Sequence, residues 1–249
     1  MVHARPTIDA HKQTNQPVYV LHTYPFKETS LVVELFSQQF GRIAAVAKGA
    51  RRPHSAMRGM LQSFQMLDGT WSGKNELKTL HSLDWSEGLT LIKGEALMCG
   101  FYMNELLLRL LQREDAHEIL FTYYQATLKT LAESQNLAIT LRRFELKLLQ
   151  EMGYAVPLQM DESHALIDAE KTYRYEAESG ARELNTSKID KQKNGVKLSG
   201  KTMLAMARDD YSDVATQNQS KQLMRYLLAH YLGDKPLHTR QLLVDLQGL

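Results

Sequence analysis

Residues 17–48 read PVYVLHTYPFKETSLVVELFSQQFGRIAAVAK, and these residues indicate the fold of the first part of the chain. Its apolar runs are short, rich in Val, Ile, Tyr and Phe, and broken by PFKE and FGR, a pattern typical of β-strands joined by turns. The runs MLQSFQML, GTWSG and ELKTLHSLDW continue the pattern to about residue 85. Five or six short strands predict a small β-barrel over residues 17–86, and five would fit an oligonucleotide-binding fold.

Helical spacing replaces this pattern beyond Trp85. Apolar residues recur every three or four positions in GEALMCGFYMNELLLRLLQRE, AHEILFTYYQATLKTLAES and LAITLRRFELKLLQEMGY, and again near the C-terminus. The sequence therefore predicts a two-domain α+β protein in which the barrel is followed by a mainly α-helical domain over residues 87–249. Within that domain, residues 161–201 lose the spacing and predict an irregular insertion containing a hairpin. Residues 1–16 are polar and predict a mobile N-terminal tail.

Composition excludes several classes of protein. Cys99 is the one cysteine of the 249 residues, so neither an intrachain disulfide framework nor a multi-cysteine zinc site is possible. No apolar run approaches the roughly 20 residues needed to span a bilayer, and the first residues lack the apolar segment of a secretory signal. The sequence predicts a cytoplasmic protein with no membrane partner and no cofactor.

The barrel region carries the positive charge of the protein. Residues 1–80 sum to +5, whereas the remainder sums to −3 and the whole chain to +2. Residues 35–67 contain no Asp or Glu, and the turn KGARRPHSAMRG lies within them. Because arginine matches phosphate oxygens and neutralised phosphates release counterions, this segment predicts a polyanion-binding surface. The candidate binding residues are Arg42, Lys48, Arg51, Arg52 and Arg58.

A second reading of these cations stays open. The cations could form only a solvated hairpin tip, with no ligand. Aromatic platforms on which bases stack are the usual companions of a nucleic-acid-binding groove. The aromatic residues nearby in sequence are more often core residues than platforms; they are Phe36, Phe40, Phe64 and Trp71.

Several segments resemble one family in the same order along the chain. LHTYPFKETSLVVELFSQQFGRIAAVAKGARRP resembles the N-terminal hallmark of the RecO family of DNA repair and recombination mediators. YMNELLLRLL, LRRFELKLLQEMGY, TYRY and YLLAHYLGDKPLHTRQLL resemble later parts of that family. The similarity covers nearly everything from Val18 to Leu246.

The resemblance implies a protein without enzymatic activity that binds single- and double-stranded DNA and anneals complementary strands. It further implies cooperation with RecR and the single-stranded-DNA-binding protein in loading the RecA recombinase, and hence association with the nucleoid. In one respect the chain departs from the family. Some members carry a four-cysteine zinc module where this chain has residues 161–201 without cysteine, so ordinary packing is expected to hold this region.

Two alternative functions remain open at this stage. An RNA-binding barrel would show the same charge pattern, because contacts to the backbone barely distinguish the two polymers. A metal-dependent nuclease could use the carboxylates of Asp209 and Asp210, although adjacent residues on a helix diverge by about 100°. A polar helix end is the simpler reading of that pair.

A second candidate site lies in the predicted helix LRRFELKLL. Arg142 and Arg143 flank an apolar face that includes Phe144. Snorkelling arginines beside a core helix would explain this pattern. An apolar groove with a cationic rim would also suit an acidic, aromatic-ended peptide, such as the C-terminal tail of the single-stranded-DNA-binding protein that the resemblance implies as a partner. Arg142, Arg143 and Phe144 are therefore the candidate residues of a partner-peptide groove.

Overall fold

The computed structural model describes residues 11–86, 88, 91–133, 136–154, 156–184, 194–233 and 235–239. Contacts divide the chain into two compact units. The first unit comprises Met1–Glu133 with Leu237–Leu249, and the second comprises Ser134–Pro236. The predicted tail lies outside the described residues up to residue 10, whereas residues 12–16 belong to the first strand rather than to a tail.

Five strands close the barrel of the first unit in the order β1-β2-β3-β5-β4, and every neighbouring pair except β3 and β5 is antiparallel. The strands are β1 (Lys12–Phe26), β2 (Ser30–Ser37), β3 (Gly41–Ala47), β4 (Met66–Ser72) and β5 (Leu77–Trp85). β1 is long enough to pair with β4 through its first half and with β2 through its second half, and β3 closes the barrel by running parallel to β5. The predicted small barrel with five strands is confirmed.

Alternate residues of these strands fill the barrel. Val18 and Val20 of β1 face Val33 and Leu35 of β2 in a buried apolar cluster that also contains Trp71. The short helix α1 (Ala56–Met60) lies between β3 and β4, and its Met57 and Met60 pack against this cluster. Each fully buried side chain of this size contributes roughly 1.5–3 kcal/mol to folding, so the barrel has an apolar core of its own.

Two helices cover part of the outer surface of the barrel. They are α2 (Gly94–Leu110) and α3 (Glu118–Glu133). Tyr124 of α3 contacts the ring of Tyr19 at 5.1 Å between centroids and donates a hydrogen bond of 2.6 Å to Asn104 Oδ1. Asn104 Nδ2 in turn donates to the carbonyl of Leu21 at 2.9 Å. Burial raises the pKa of the Tyr124 phenol well above its ordinary value.

These contacts explain why the first unit extends to Glu133 instead of ending near residue 86, where the sequence places the boundary. The dense apolar pattern of α2 predicts burial but does not show which partner buries it. The chain also returns to this unit at its other end. Glu105 of α2 accepts hydrogen bonds from the backbone of His238 at 2.8 Å and of Thr239 at 2.9 Å, and from the Thr239 hydroxyl at 2.6 Å.

In its described residues, the second unit contains three helices and a small sheet. The helices are α4 (Leu137–Glu151), α5 (Gly200–Ala207) and α6 (Val214–Leu232). Each begins at a polar cap, because Asn136, Ser199 and Asp213 accept hydrogen bonds from backbone N–H groups of the first helical turn. A barrel followed by a helical region confirms the predicted two-domain α+β class. Within the described residues, no helix has both the length and the apolarity to cross a bilayer.

Residues 172–199 contribute a three-stranded sheet in the order β7-β6-β8. Its strands are β6 (Thr172–Glu176), β7 (Gly180–Glu183) and β8 (Val196–Ser199). TYRYEAESGARE thus forms a hairpin, and β8 adds a third strand that the sequence did not indicate. Tyr173, Tyr175 and Leu198 are buried at 2% exposure or less, so apolar packing holds the sheet together.

Candidate nucleic-acid interface

The acid-free turn between β3 and α1 is fastened to the neighbouring turn between β1 and β2. Arg51 donates its backbone N–H to the carbonyl of Thr29 at 2.9 Å, and Gly49 donates to the Ser30 hydroxyl at 3.4 Å. Ala50 inserts into the barrel core with no exposed surface. Three successive turns follow, because the N–H groups of Arg52, Ser55 and Arg58 each bond a carbonyl three residues earlier. The backbone of this loop is therefore held at defined places on the barrel.

Four cations of the loop face solvent, and we call them the basic loop surface: Lys48, Arg51, Arg52 and Arg58. None of the four forms an ion pair with any carboxylate in the part of the chain that the structure describes. The side chain of Arg52 lies over Gly49, where a Cβ would be only 3.5 Å from Arg52 Cδ. Unpaired exposed guanidinium groups on a fixed backbone can bind phosphate without first breaking an internal contact.

Arg42, the fifth cation predicted for this surface, has a different environment. Only 18% of its side chain is exposed, and Nη1 donates a hydrogen bond of 2.5 Å to the carbonyl of Leu108. Nη1 also lies 4.0 Å from Glu34 Oε2. Burial lowers the pKa of the Arg42 guanidinium, while Glu34 opposes that shift. We therefore assign Arg42 to the interior of the first unit and exclude it from the basic loop surface.

Arg42 belongs to an ion-pair network centred on Glu34. The Glu34 side chain is 4% exposed, and its Oε1 accepts a hydrogen bond of 2.5 Å from Arg113. Arg113 also binds Glu76, and nearby Lys78 binds Glu114 at 2.8 Å. Burial acts to lower the pKa of Arg113, but its bonds to Glu76 and Glu34 outweigh burial and raise that pKa. A buried carboxylate needs such partners, because an unpaired charge there is costly.

The aromatic residues considered as platforms from the sequence are largely buried. Phe36 and Trp71 are at most 2% exposed, and Phe40 stands edge-on to Trp71 at 5.5 Å. Phe64 is 5% exposed and packs against Phe101 at 5.0 Å. These side chains stabilise the first unit instead of forming a surface.

A different aromatic row is open to solvent. His22 and Tyr24 of β1 are exposed, and their ring centroids are 4.5 Å apart. Phe26 follows at the next outward position, with Lys27 Nζ 5.5 Å from the centroid of its ring. The spacing HxYxF within LHTYPF is the period of two expected for one face of a strand. The period of two is visible in the sequence, but it does not show that this face of the strand, and not the opposite one, points outward.

The candidate peptide groove of the second unit is not formed by its three predicted residues. Phe144 has no exposed surface, so it cannot line a groove. Arg142 is paired with the buried Glu145 at 2.5 Å. Arg143 Nε donates to Asp209 at 2.7 Å, and its guanidinium carbon lies 5.8 Å from the Tyr211 ring centroid. The apolar face of α4 packs inside the second unit, and its arginines have internal partners.

The carboxylate pair considered for a metal ion also has local partners. Asp209 binds Arg143, and Asp210 accepts hydrogen bonds from the backbone and the hydroxyl of Ser212 at 3.0 and 2.7 Å. The Ser212 bonds lower the pKa of Asp210. Asp209 has a positive φ of 57° just past the end of α5, which fits the polar helix end that the sequence favoured. Among the described residues, no group of three His, Cys, Asp or Glu side chains could hold a metal ion.

Comparisons with known proteins show the family of this chain. A family model described as "Recombination protein O N terminal" matches residues 12–89, and one described as "Recombination protein O C terminal" matches residues 93–241. The chain belongs to the RecO family. The match of the N-terminal RecO model begins at the first residue of β1 and extends past β5, so it covers the whole barrel.

Individual RecO relatives match over nearly their full length. A protein named "DNA repair protein RecO" from Nitrosospira multiformis is 51% identical over 97% of this chain and 99% of its own length. A relative of the same name from Aromatoleum aromaticum is 50% identical over 94% of this chain and 96% of its own length. Another, from Dechloromonas aromatica, is 47% identical over 96% of this chain and 98% of its own length. The similarity predicted from a few segments is confirmed, and it extends over both units.

Proposed function

We propose that this chain is a non-enzymatic recombination mediator that binds DNA through the basic loop surface. In this role it binds single- and double-stranded DNA, anneals complementary strands and, together with RecR, helps to load RecA onto strands coated by the single-stranded-DNA-binding protein. Membership of a family of DNA repair and recombination proteins supports the role. The observation that carries it is the group of four exposed cations on a fixed loop of an oligonucleotide-binding barrel, without carboxylate partners among the described residues.

Physical chemistry explains how such a surface would serve annealing. Two DNA strands repel each other, and a cationic surface that neutralises phosphates lowers that repulsion while it holds a strand. Because the contacts are to phosphate, they carry no sequence information, and any pair of complementary strands can use them. Chromosomal DNA would then associate the protein with the nucleoid. We assign RecR, RecA and the acidic tail of the single-stranded-DNA-binding protein as partners without assigning their surfaces.

Annealing in the presence of a chelator tests this function. Two labelled complementary oligonucleotides are mixed with the protein and excess EDTA, and both the duplex formed and the integrity of each strand are measured. We expect faster annealing than without protein and full recovery of both strands. Cleaved strands in a parallel reaction with Mg²⁺ would instead support the nuclease alternative.

A matched variant connects annealing to the loop. Arg51→Ala, Arg52→Ala and Arg58→Ala together should slow annealing strongly, whereas Lys201→Ala, Lys221→Ala and Arg225→Ala together should not. The second set removes the same charge from exposed positions of the other unit. Equal slowing by both sets would show that net charge alone matters. Competition with an RNA strand of the same sequence separates the remaining alternative, and a clear preference for RNA would contradict the DNA function.

A further inference from the structure

The outward face of β1 and β2 is covered at one end and open at the other. Tyr19 pairs with Phe36 across the two strands, and both rings contact Phe121 of α3, at 5.4 and 5.3 Å between centroids. Tyr24 pairs with Val32 further along the same strands, and 46% of Tyr24 is exposed. The two ends therefore have equivalent positions on the sheet but different surroundings.

A β-bulge produces the aromatic row at the open end. The pairing of β1 with β2 shifts between Val20 and His22, which reverses the alternation of inward and outward residues. Val20 points into the core, and after the bulge His22 and Tyr24 lie on the outward face. The ring of His22 meets that of Tyr24 at 65°, an edge-to-face contact that limits the orientations of both rings.

The neighbours of Tyr24 on the sheet are small and partly exposed. Tyr24 pairs with Val32 of β2, Val32 pairs with Val46 of β3, and Val46 pairs with Thr79 of β5. We call these four residues the open sheet face. Val32, Val46 and Thr79 are each partly exposed. An exposed aromatic ring beside such residues offers one flat surface for a planar ligand.

Charge around the open sheet face favours a polyanionic ligand. Lys27 lies at the end of β1, and Lys48 and Arg51 lie in the loop that is bonded to the turn between β1 and β2. Glu34, which pairs with His22 beside the open sheet face, is neutralised by Arg113, so it does not oppose phosphate binding. Glu28 in the turn is exposed and remains the one nearby acid of this turn.

We propose that Tyr24, supported by His22, is a stacking platform for the bases of single-stranded DNA on the open sheet face. The phosphates of the same strand would then contact the basic loop surface. This inference rests on the proposed function and names the part of the surface that distinguishes single strands from duplexes. Bases in a duplex are already stacked and paired, so their faces are closed to Tyr24, whereas bases of a single strand are free to stack on it.

The test compares two variants of Tyr24 on two kinds of strand. Tyr24→Leu removes the ring but keeps apolar bulk, and Tyr24→Phe keeps the ring. Trp85→Leu is the control, since Trp85 is similarly exposed, at 42%, and lies at the far end of β5. The probes are a short oligothymidine, an abasic strand of the same length, which has the phosphates but no bases, and a DNA duplex. Fluorescence of Trp71 and Trp85 verifies that each Tyr24 variant is folded.

Stacking is worth enough per base to give a large change, and we expect Tyr24→Leu to weaken binding to oligothymidine by roughly 5- to 150-fold. Binding to the abasic strand and to duplex DNA should stay within about twofold of the unchanged protein, as expected when no phosphate contact is lost. Tyr24→Phe and Trp85→Leu should bind oligothymidine as the unchanged protein does.

Equal losses on oligothymidine and on the abasic strand would overturn the platform, because the effect would then not involve the bases. Unchanged binding of oligothymidine by Tyr24→Leu would overturn it as well. In both cases the proposed function would stand as long as the unchanged protein binds DNA. Failure of the unchanged protein to bind any of the three probes would overturn the proposed function and the platform together.

Discussion

Arg42 and Arg51 lie in the same acid-free segment, yet their side chains have opposite surroundings. Arg42 is directed to Leu108 and Glu34 within the first unit, whereas Arg51 faces solvent and forms no ion pair among the described residues. The difference comes from neighbours that are distant in sequence: β2 brings Glu34 beside Arg42, and Arg113 follows α2. A cation's partners in space, and not its sequence surroundings, therefore decide whether it serves the fold or a ligand.

The largest effect on stability is expected from removing the ion-pair partner of the buried Glu34. Arg113→Ala leaves Glu34 buried with only Arg42 at 4.0 Å, and we expect a loss of about 3 kcal/mol in the free energy of unfolding, the lower end of the range for broken buried pairs. Urea denaturation followed by tryptophan fluorescence measures it, because both tryptophans, Trp71 and Trp85, belong to the first unit. Glu76→Ala is the control and should cost under about 1 kcal/mol, since Glu76 is 67% exposed. Equal losses would mean that Glu34 gains nothing from Arg113.

Two glycines at opposite ends of β3 have similar backbone angles but different neighbours. Gly41 has a φ of +64°, and a Cβ there would lie 1.8 Å from the carbonyl oxygen of Asp115. Gly49 has a similar φ of +68°, but a Cβ there would meet only the Arg52 side chain, at 3.5 Å. Gly49→Ala should therefore cost about 1–2 kcal/mol for the left-handed backbone alone.

Gly41→Ala should cost more than Gly49→Ala, because the backbone near Asp115 must also move. Urea denaturation of the two variants gives the comparison directly. Equal costs would show that the turn after β2 adjusts easily, and the internal end of β3 would then be no more tightly packed than the end that carries the loop.

Glu105 of α2 is expected to have a smaller, pH-dependent effect on the free energy of unfolding. Burial acts to raise its pKa, but hydrogen bonds from Thr239 and His238 outweigh burial and lower it. A carboxyl group with a lowered pKa in the folded state adds stability above its ordinary pKa of about 4.3, and loses that contribution as the pH falls through the folded pKa. Glu105→Gln should therefore destabilise the protein at neutral pH, and the difference from the unchanged protein should shrink below about pH 4.3. A difference independent of pH would contradict the role of the charge.

The smallest effect is expected on DNA affinity, at an exposed residue near the basic loop surface. Glu28 is an exposed carboxylate in the turn to which the basic loop is bonded, and it has no ion pair among the described residues. Glu28→Gln removes a repulsive charge and should strengthen DNA binding by about two- to threefold at low salt, with the gain disappearing at high salt. Glu133→Gln, at the end of α3, is the control and should leave DNA affinity unchanged. An equal gain in both variants would make the effect one of net charge.

The strands and helices were predictable because their apolar residues repeat with periods of about two and of three to four. The end of the first unit was not, because the apolar pattern of α3 does not reveal that its Phe121 packs against Tyr19 and Phe36 of the barrel. The burial of Phe144 could not be predicted, because a buried helix face and an exposed apolar face have the same spacing. Tyr24 was missed because the bulge before His22 changes which residues face outward, and a bulge leaves little trace in the sequence.

The salt dependence of DNA binding tests whether the basic loop surface contacts the DNA backbone. Affinity for one duplex is measured over a range of salt concentrations for the unchanged protein and for the variant with Arg51, Arg52 and Arg58 all replaced by alanine. Each lost phosphate contact reduces the slope of log affinity against log salt by about 0.9, so the slope should fall by about 2.7, while the free energy of unfolding changes little. An unchanged slope in a folded variant would contradict this contact and leave the loop as a solvated surface.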